Sequence, residues 1–152
     1  VESWDGSSWT ETTDLNTGRG NFGGAGTTTD GLVFGGTTSN NFTESWNGTS
    51  WTEVNNLNTA KMALSASGSS TLAIAFGGDG APGARVANTE SWNGTSSTEV
   101  NDLSTARSGM SQGGGTSGSA TGTFAAAGYT TTAVTTVEEW TVPEANRTIT
   151  VS

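Results

Sequence analysis

The sequence predicts an all-β fold assembled from about three and a half repeated four-stranded units. Three observations predict it: a tryptophan-centred phrase that returns every 42, 46 and 48 residues, an Asp-Gly or Asn-Gly pair inside each full copy, and an apolar run that closes on glycine. Periods of this size are the mark of repeat architectures.

The phrase Glu2-Ser3-Trp4-Asp5-Gly6-Ser7-Ser8-Trp9-Thr10-Glu11 returns from Glu44 to Glu53 and again from Glu90 to Glu99, and Glu138-Glu139-Trp140 is a partial fourth copy. Two short strands flank each Asp-Gly or Asn-Gly pair, and the pair supplies the φ > 0 residues of a tight hairpin turn. A second block follows at fixed distance: Leu15-Asn16-Thr17-Gly18-Arg19, Leu57-Asn58-Thr59-Ala60-Lys61 and Leu103-Ser104-Thr105-Ala106-Arg107. Each first Trp precedes its basic residue by 15 positions. The stretch after that residue, such as Met62 to Gly68, is small and bland, which suits an inner strand crowded near an axis. The third block, Leu32-Val33-Phe34-Gly35-Gly36, Ala73 to Gly78 and, more loosely, Phe124 to Gly128, reads as a strand covered on both faces. No segment has helical periodicity.

Four strands per unit at this period are the signature of a β-propeller blade. One propeller arc over residues 1–152 is expected, with units at about 1–13 (a half blade), 14–56, 57–102 and 103–152. The glycine doublet, the basic residue opening the inner strand and the later Trp resemble the kelch-type repeat, from Val1 to about Trp140. Glu-Ser-Trp-Asn-Gly-Thr-Ser-Trp-Thr-Glu, with Leu-Asn-Thr-Ala-Lys/Arg and Phe-Gly-Gly, is similar to kelch-like repeat proteins encoded by tailed bacteriophages of aquatic bacteria. The ending Arg147 to Ser152 resembles their C-terminal strand. That resemblance implies a virion or extracellular fibre or decoration protein.

The half blade at the start lacks two inner strands, and Asn146 to Ser152 is expected to close the last blade after a turn at Pro143. Its complement is expected from an upstream segment or from other copies of the chain, since exposed strand edges invite pairing.

Composition narrows the function. Net charge is −9 with five basic residues, and pI is about 4.1, which excludes the cationic footprint of nucleic-acid binding. No run is apolar and long enough to span a bilayer. The absence of Cys and His removes most zinc, copper and haem chemistry and the usual general base, so no metal, cofactor or catalytic residue is assigned. A copper-radical oxidase site would need Cys and His beside a Tyr, and Tyr129 is the sole Tyr. The first hairpin is similar to a sialidase Asp-box but is one residue short between Asp and Gly.

Repeated residues are read as scaffold. Trp4, Trp46, Trp92 and Trp140 pack between blades in preference to stacking sugars. Arg19, Lys61 and Arg107 recur at one position, as do Glu11, Glu53 and Glu99, and are expected to brace neighbouring blades by hydrogen bonds or ion pairs, which are individually weak when exposed. Length variation gathers in the connections after the apolar strands, Thr37 to Phe42, Asp79 to Asn88 and Tyr129 to Val134. Unrepeated residues there, Phe42, Asp79, Arg85 and Tyr129, are the candidate site for a cell-surface glycan or virion protein. The alternative is a purely structural subunit of a ring or filament joined through blade edges.

Overall fold

The computed structural model describes residues 1–37, 41–113 and 122–141. Among these the chain is all-β, with thirteen strands in four antiparallel sheets of two to four strands. The first sheet holds β1 (Glu2–Trp4) and β2 (Trp9–Glu11). The second holds β3 (Gly23–Gly26), β4 (Gly31–Phe34), β5 (Thr43–Trp46) and β6 (Trp51–Val54). The third holds β7 (Ser65–Gly68), β8 (Ala73–Phe76), β9 (Thr89–Trp92) and β10 (Ser97–Val100), and the fourth β11 (Ser111–Gly113), β12 (Gly122–Ala126) and β13 (Val137–Thr141). Strands pair with their sequence neighbours, so each sheet is an up-and-down meander. The strand expected at Asn146 to Ser152 lies outside the described residues.

Register repeats with the sequence. Trp46 pairs with Trp51 and Gly31, Trp92 with Ser97 and Ala73, and Trp140 with Thr123. The first strands of successive sheets lie side by side, β3 against β7 and β7 against β11. Small residues permit this approach: a Cβ on Gly23 would fall 3.1 Å from the Ala66 Cβ. The strand expected from Met62 narrows to Ser65–Gly68, because Ala63 takes φ +51° and turns the chain. Asn21 (φ +55°) and Gly109 (φ +60°) occupy the equivalent place. Ala63 N–H donates to the Asn21 carbonyl (2.7 Å) and Gly109 N–H to the Ala63 carbonyl (3.0 Å), so a line of backbone hydrogen bonds runs from unit to unit.

The core lies between sheets. Leu32 and Phe34 of the second sheet pack with Leu64, Ala66, Ala73, Ala75 and Trp92, and Ile74 and Phe76 of the third pack with Met110, Ala125, Leu103 and Trp140. Trp46 and Trp92 each donate an indole N–H to a loop carbonyl of their own sheet, Thr28 and Ser70, at 2.9 Å. The buried tryptophans thus fill an interface while keeping their polar edge satisfied.

The hairpins form where the sequence places them, with different turn chemistry. Only the glycines have positive φ: +101° at Gly6, +89° at Gly48 and +92° at Gly94. Asn47 acts through its side chain, whose Oδ1 accepts from Thr49 N–H and Ser50 N–H at 2.9 Å, and Asn93 does the same for Thr95 and Ser96. Asp5 Oδ1 accepts equivalent bonds, which is why Asp and Asn interchange there. The Ser8 and Ser7 donors hold the Asp5 carboxyl down at about 2. Replacing Asn47 with Ala is expected to cost about 1 kcal/mol in chemical denaturation, while Asn47→Asp keeps the turn at neutral pH. With its folded pKa depressed, that Asp contributes fully above its ordinary pKa near 4, and the contribution fades as pH falls towards about 2.

Candidate functional site

The repeated basic residues are buried. Each reaches the glutamate that opens its own unit's Glu-x-Trp strand: Arg19 to Glu44, Lys61 to Glu90 (3.8 Å) and Arg107 to Glu138 (2.7 Å). Glu11, Glu53 and Glu99, the other recurring acids, are exposed. A carboxylate left alone inside is costly, and donors converge on Glu44 and Glu90, while Glu138 stays partly exposed.

Around Glu90, the N–H groups of Asn58 (2.7 Å) and Thr59 (3.0 Å) and the Asn58 amide (3.1 Å) all donate to the carboxylate. Around Glu44, Asn16, Thr17 and Arg19 do the same. Burial pushes the Glu44 pKa up, and these bonds outweigh it, leaving the group below its ordinary value. The network pins the connection that crosses from one sheet to the next, and Asn16 and Asn58 also donate to the Trp51 and Ser97 carbonyls of the outermost strands.

Lys61 departs from its two arginine counterparts. Burial lowers its pKa from 10.5 to about 8, against the pull of Glu90, Asp102 and Glu99. Between those values the unfolded chain keeps a proton that the folded chain has lost, so stability rises with pH across that window. Lys61→Arg is expected to flatten the rise, because guanidinium stays charged throughout. Urea titrations of both proteins at pH values spanning the window check this; an unchanged slope in the variant assigns the rise to another group.

The glycine doublets lead to the variable connections. Thr37, Asp79 and Tyr129 each follow the second position of a doublet and share one backbone arrangement. Thr37 N–H donates to the Gly20 carbonyl (2.8 Å). Asp79 and Tyr129 exchange paired bonds with Met62 (2.7 and 2.9 Å) and Ser108 (2.9 and 3.1 Å). They are one repeat position with three different side chains, each the first residue of its variable connection.

Arg85, from the longest connection, joins Tyr129. Its Nε donates to the Tyr129 carbonyl at 2.9 Å, and its guanidinium carbon lies 5.6 Å from the ring centroid. Asp79 forms an antiparallel bridge with Arg85. The Asp79 Oδ1 is covered yet accepts no hydrogen bond among the described residues. Tyr129 is half exposed. Three of the four candidate residues are thus brought together on adjoining units. Phe42 has another place: its carbonyl accepts from Arg19 (2.8 Å) and Gly35 N–H (2.9 Å), as the Asn88 carbonyl accepts from Lys61 (2.9 Å). Among the described residues no hydrogen bond or ring contact links Phe42 to the trio.

The Arg85 guanidinium and the half-exposed Tyr129 ring are groups able to meet hydroxyls, amides or a carboxylate, while the Asp79 Oδ1 is covered. Among the described residues no group of three or more His, Cys, Asp or Glu stands together, so no metal centre is assigned. No family model matches the chain, and no curated protein matches it in sequence.

Proposed function

We propose that this chain is an arc of a kelch-like β-propeller that serves as a non-enzymatic binding module, of the virion fibre or decoration kind, with its recognition surface on the connections after the apolar strands. One observation carries the reading: Thr37, Asp79 and Tyr129 share a backbone position and differ in every side chain, while the residues that hold the units together recur. A scaffold repeated for its own sake has no need to vary one position that is half-buried in two units and exposed at Tyr129, whereas a binding rim does. The repeated sheets, their side-by-side first strands and the line of backbone bonds support a blade-like arrangement about an axis. Consumption of Glu44, Glu90 and Glu138 in structural pairs favours binding over catalysis.

The test replaces Phe42, Asp79, Arg85 and Tyr129 together with Ala or Ser, then measures glycan-array and cell-surface binding beside thermal stability. Binding lost at unchanged stability supports the reading. Binding retained by the variant, or absent from the parent, removes it. The second reading, a structural subunit joined through its edges, is favoured by exposed Trp4 and Trp9.

A further inference from the structure

We infer that Asn47 and Asn93 are sites of self-modification: in the folded chain the backbone nitrogen of the following glycine attacks each side-chain amide and converts it, without an enzyme, to aspartate or isoaspartate. The inference is independent of the binding reading and of the connections that carry it.

The chemistry needs an amide carbonyl beside a backbone nitrogen that nothing shields. The sequence has two Asn-Gly pairs, and both stand exposed at hairpin tips. The fold requires glycine at the second place. Gly48 and Gly94 have φ +89° and +92°, and a Cβ there would fall 3.2 Å from the Thr29 carbonyl oxygen and 3.3 Å from that of Thr71. The residue that the turn demands is thus the one that covers its own nitrogen least. Neither glycine N–H has an acceptor among the described residues.

The two asparagine side chains are also set apart. Asn16, Asn41, Asn55, Asn58 and Asn88 each commit Nδ2 to an acceptor. Asn47 and Asn93 commit only Oδ1, which accepts two backbone N–H groups at 2.9 Å, from Thr49 and Ser50 and from Thr95 and Ser96. Two such donors polarise the amide carbon and stabilise the negative charge that Oδ1 acquires on attack, as an oxyanion hole does. Nδ2, the leaving group, has no partner among the described residues.

The step balances with water alone. Hydroxide takes the glycine N–H proton, the nitrogen bonds to the asparagine Cγ, and the Cγ–Nδ2 bond breaks. Nδ2 takes a proton from water and leaves as ammonia, which restores the hydroxide. Water then opens the cyclic imide. Cleavage at Cγ gives aspartate in the original chain, and cleavage at the backbone carbonyl carbon gives isoaspartate, whose chain runs through Cβ and Cγ.

The fold already holds the first product. Asp5 Oδ1 accepts from Ser7 N–H (2.8 Å) and Ser8 N–H (2.9 Å) in the first hairpin. Aspartate at position 47 or 93 therefore keeps the turn and adds one negative charge to the chain's −9. The second product lengthens the main chain at the tip and takes the carboxylate away from those donors. Thr13 Oγ1 donates to the Thr49 carbonyl (2.9 Å) and Asn55 Nδ2 to the Thr95 carbonyl (3.0 Å), each from the segment that leaves the preceding sheet. Isoaspartate at a tip therefore loosens that sheet from its neighbour.

The test incubates the folded chain in mildly alkaline buffer, beside a synthetic peptide of residues 44–53, and samples both by peptide mapping and ion exchange. Expected are conversion at Asn47 and Asn93, one negative charge gained at each, a faster reaction at higher pH, and other asparagines unchanged. Asn47→Ser removes the amide and keeps a hydroxyl able to cap the turn, so conversion at that tip is lost while Asn93 still reacts. Circular dichroism checks its folding, and should it fail to fold, Asn47→Asp serves the same purpose and marks the elution of the aspartate product. Asn47 and Asn93 left intact over a period in which the peptide converts would overturn the inference and make the turn a protector of the amide. Conversion seen only when urea unfolds the chain, or equally fast at other asparagines, overturns it too.

Discussion

Glu90→Ala is expected to destabilise the chain by about 3–5 kcal/mol, the range for removing one member of a buried ion pair. Glu90 is 1% exposed, and three donors converge on it from Asn58 and Thr59. The substitution orphans all of them and leaves the Lys61 ammonium, 3.8 Å away, without its counter-charge. Among the described residues Lys61 keeps a hydrogen bond to the Asn88 carbonyl and the more distant charges of Asp102 and Glu99, so part of the cost falls on deprotonating a cation whose pKa burial has already lowered. Glu90→Gln keeps one acceptor oxygen and is expected to lose less. Glu53→Ala, on an exposed strand position in register with Glu44, is expected to stay within about 0.5 kcal/mol. Urea denaturation of the three variants checks the ordering. Similar losses at Glu53 and Glu90 would mean that the connections are not pinned by the buried carboxylates.

That network also shows where sequence reasoning stopped. Both partners recur, Arg19, Lys61 and Arg107 as clearly as Glu44, Glu90 and Glu138. Their separations are 25, 29 and 31 residues, however, because the variable connection lies between them. Glu53 and Glu99 recur at constant distance from Trp46 and Trp92, but so do Glu44 and Glu90, and spacing alone does not say which acids turn inward to the cations. Strand order and hairpin sites were legible because register in a meander follows the repeat directly. Turn chemistry was not, since the same Asn-Gly pair serves either a two-residue turn or a four-residue loop with a side-chain cap. Of the candidate site, Asp79, Arg85 and Tyr129 stood out as unrepeated residues in connections of unequal length. Their proximity depends on Arg85 crossing to the next unit, which no spacing reveals. Phe42 shared the same sequence marks, and its backbone carbonyl serves the Arg19 network.

The glycine doublets carry the other large effect. Gly78→Ala is expected to cost about 3 kcal/mol or more, from left-handed backbone strain of about 1–2 kcal/mol and an overlap of about 1–3 kcal/mol. Gly78 has φ +112°, beyond the region that L residues visit at moderate cost. A Cβ there would lie 2.7 Å from the Met62 carbonyl oxygen and 3.1 Å from the Leu64 Cβ. The first of these is backbone that bonds Asp79 N–H, so it cannot withdraw without loosening the Asp79 bridge. Gly78 N–H also donates to the Arg107 carbonyl at 2.9 Å, tying the third unit to the fourth. The position before it has a milder backbone conformation. Gly35 and Gly77 have φ +63° and +59°, and the fourth unit places Ala127 there at φ +56°. The fourth unit thus accepts alanine at the first position of its pair and keeps Gly128 at φ +102° at the second, whereas in the third unit a Cβ on Gly77 would itself fall 2.6 Å from the Arg107 carbonyl oxygen. Ala127→Gly is expected to change stability by no more than about 1 kcal/mol, against the larger loss at Gly78. Chemical denaturation of the two variants decides it. A Gly78→Ala protein as stable as the parent would show that the second glycine is kept for something other than its backbone geometry.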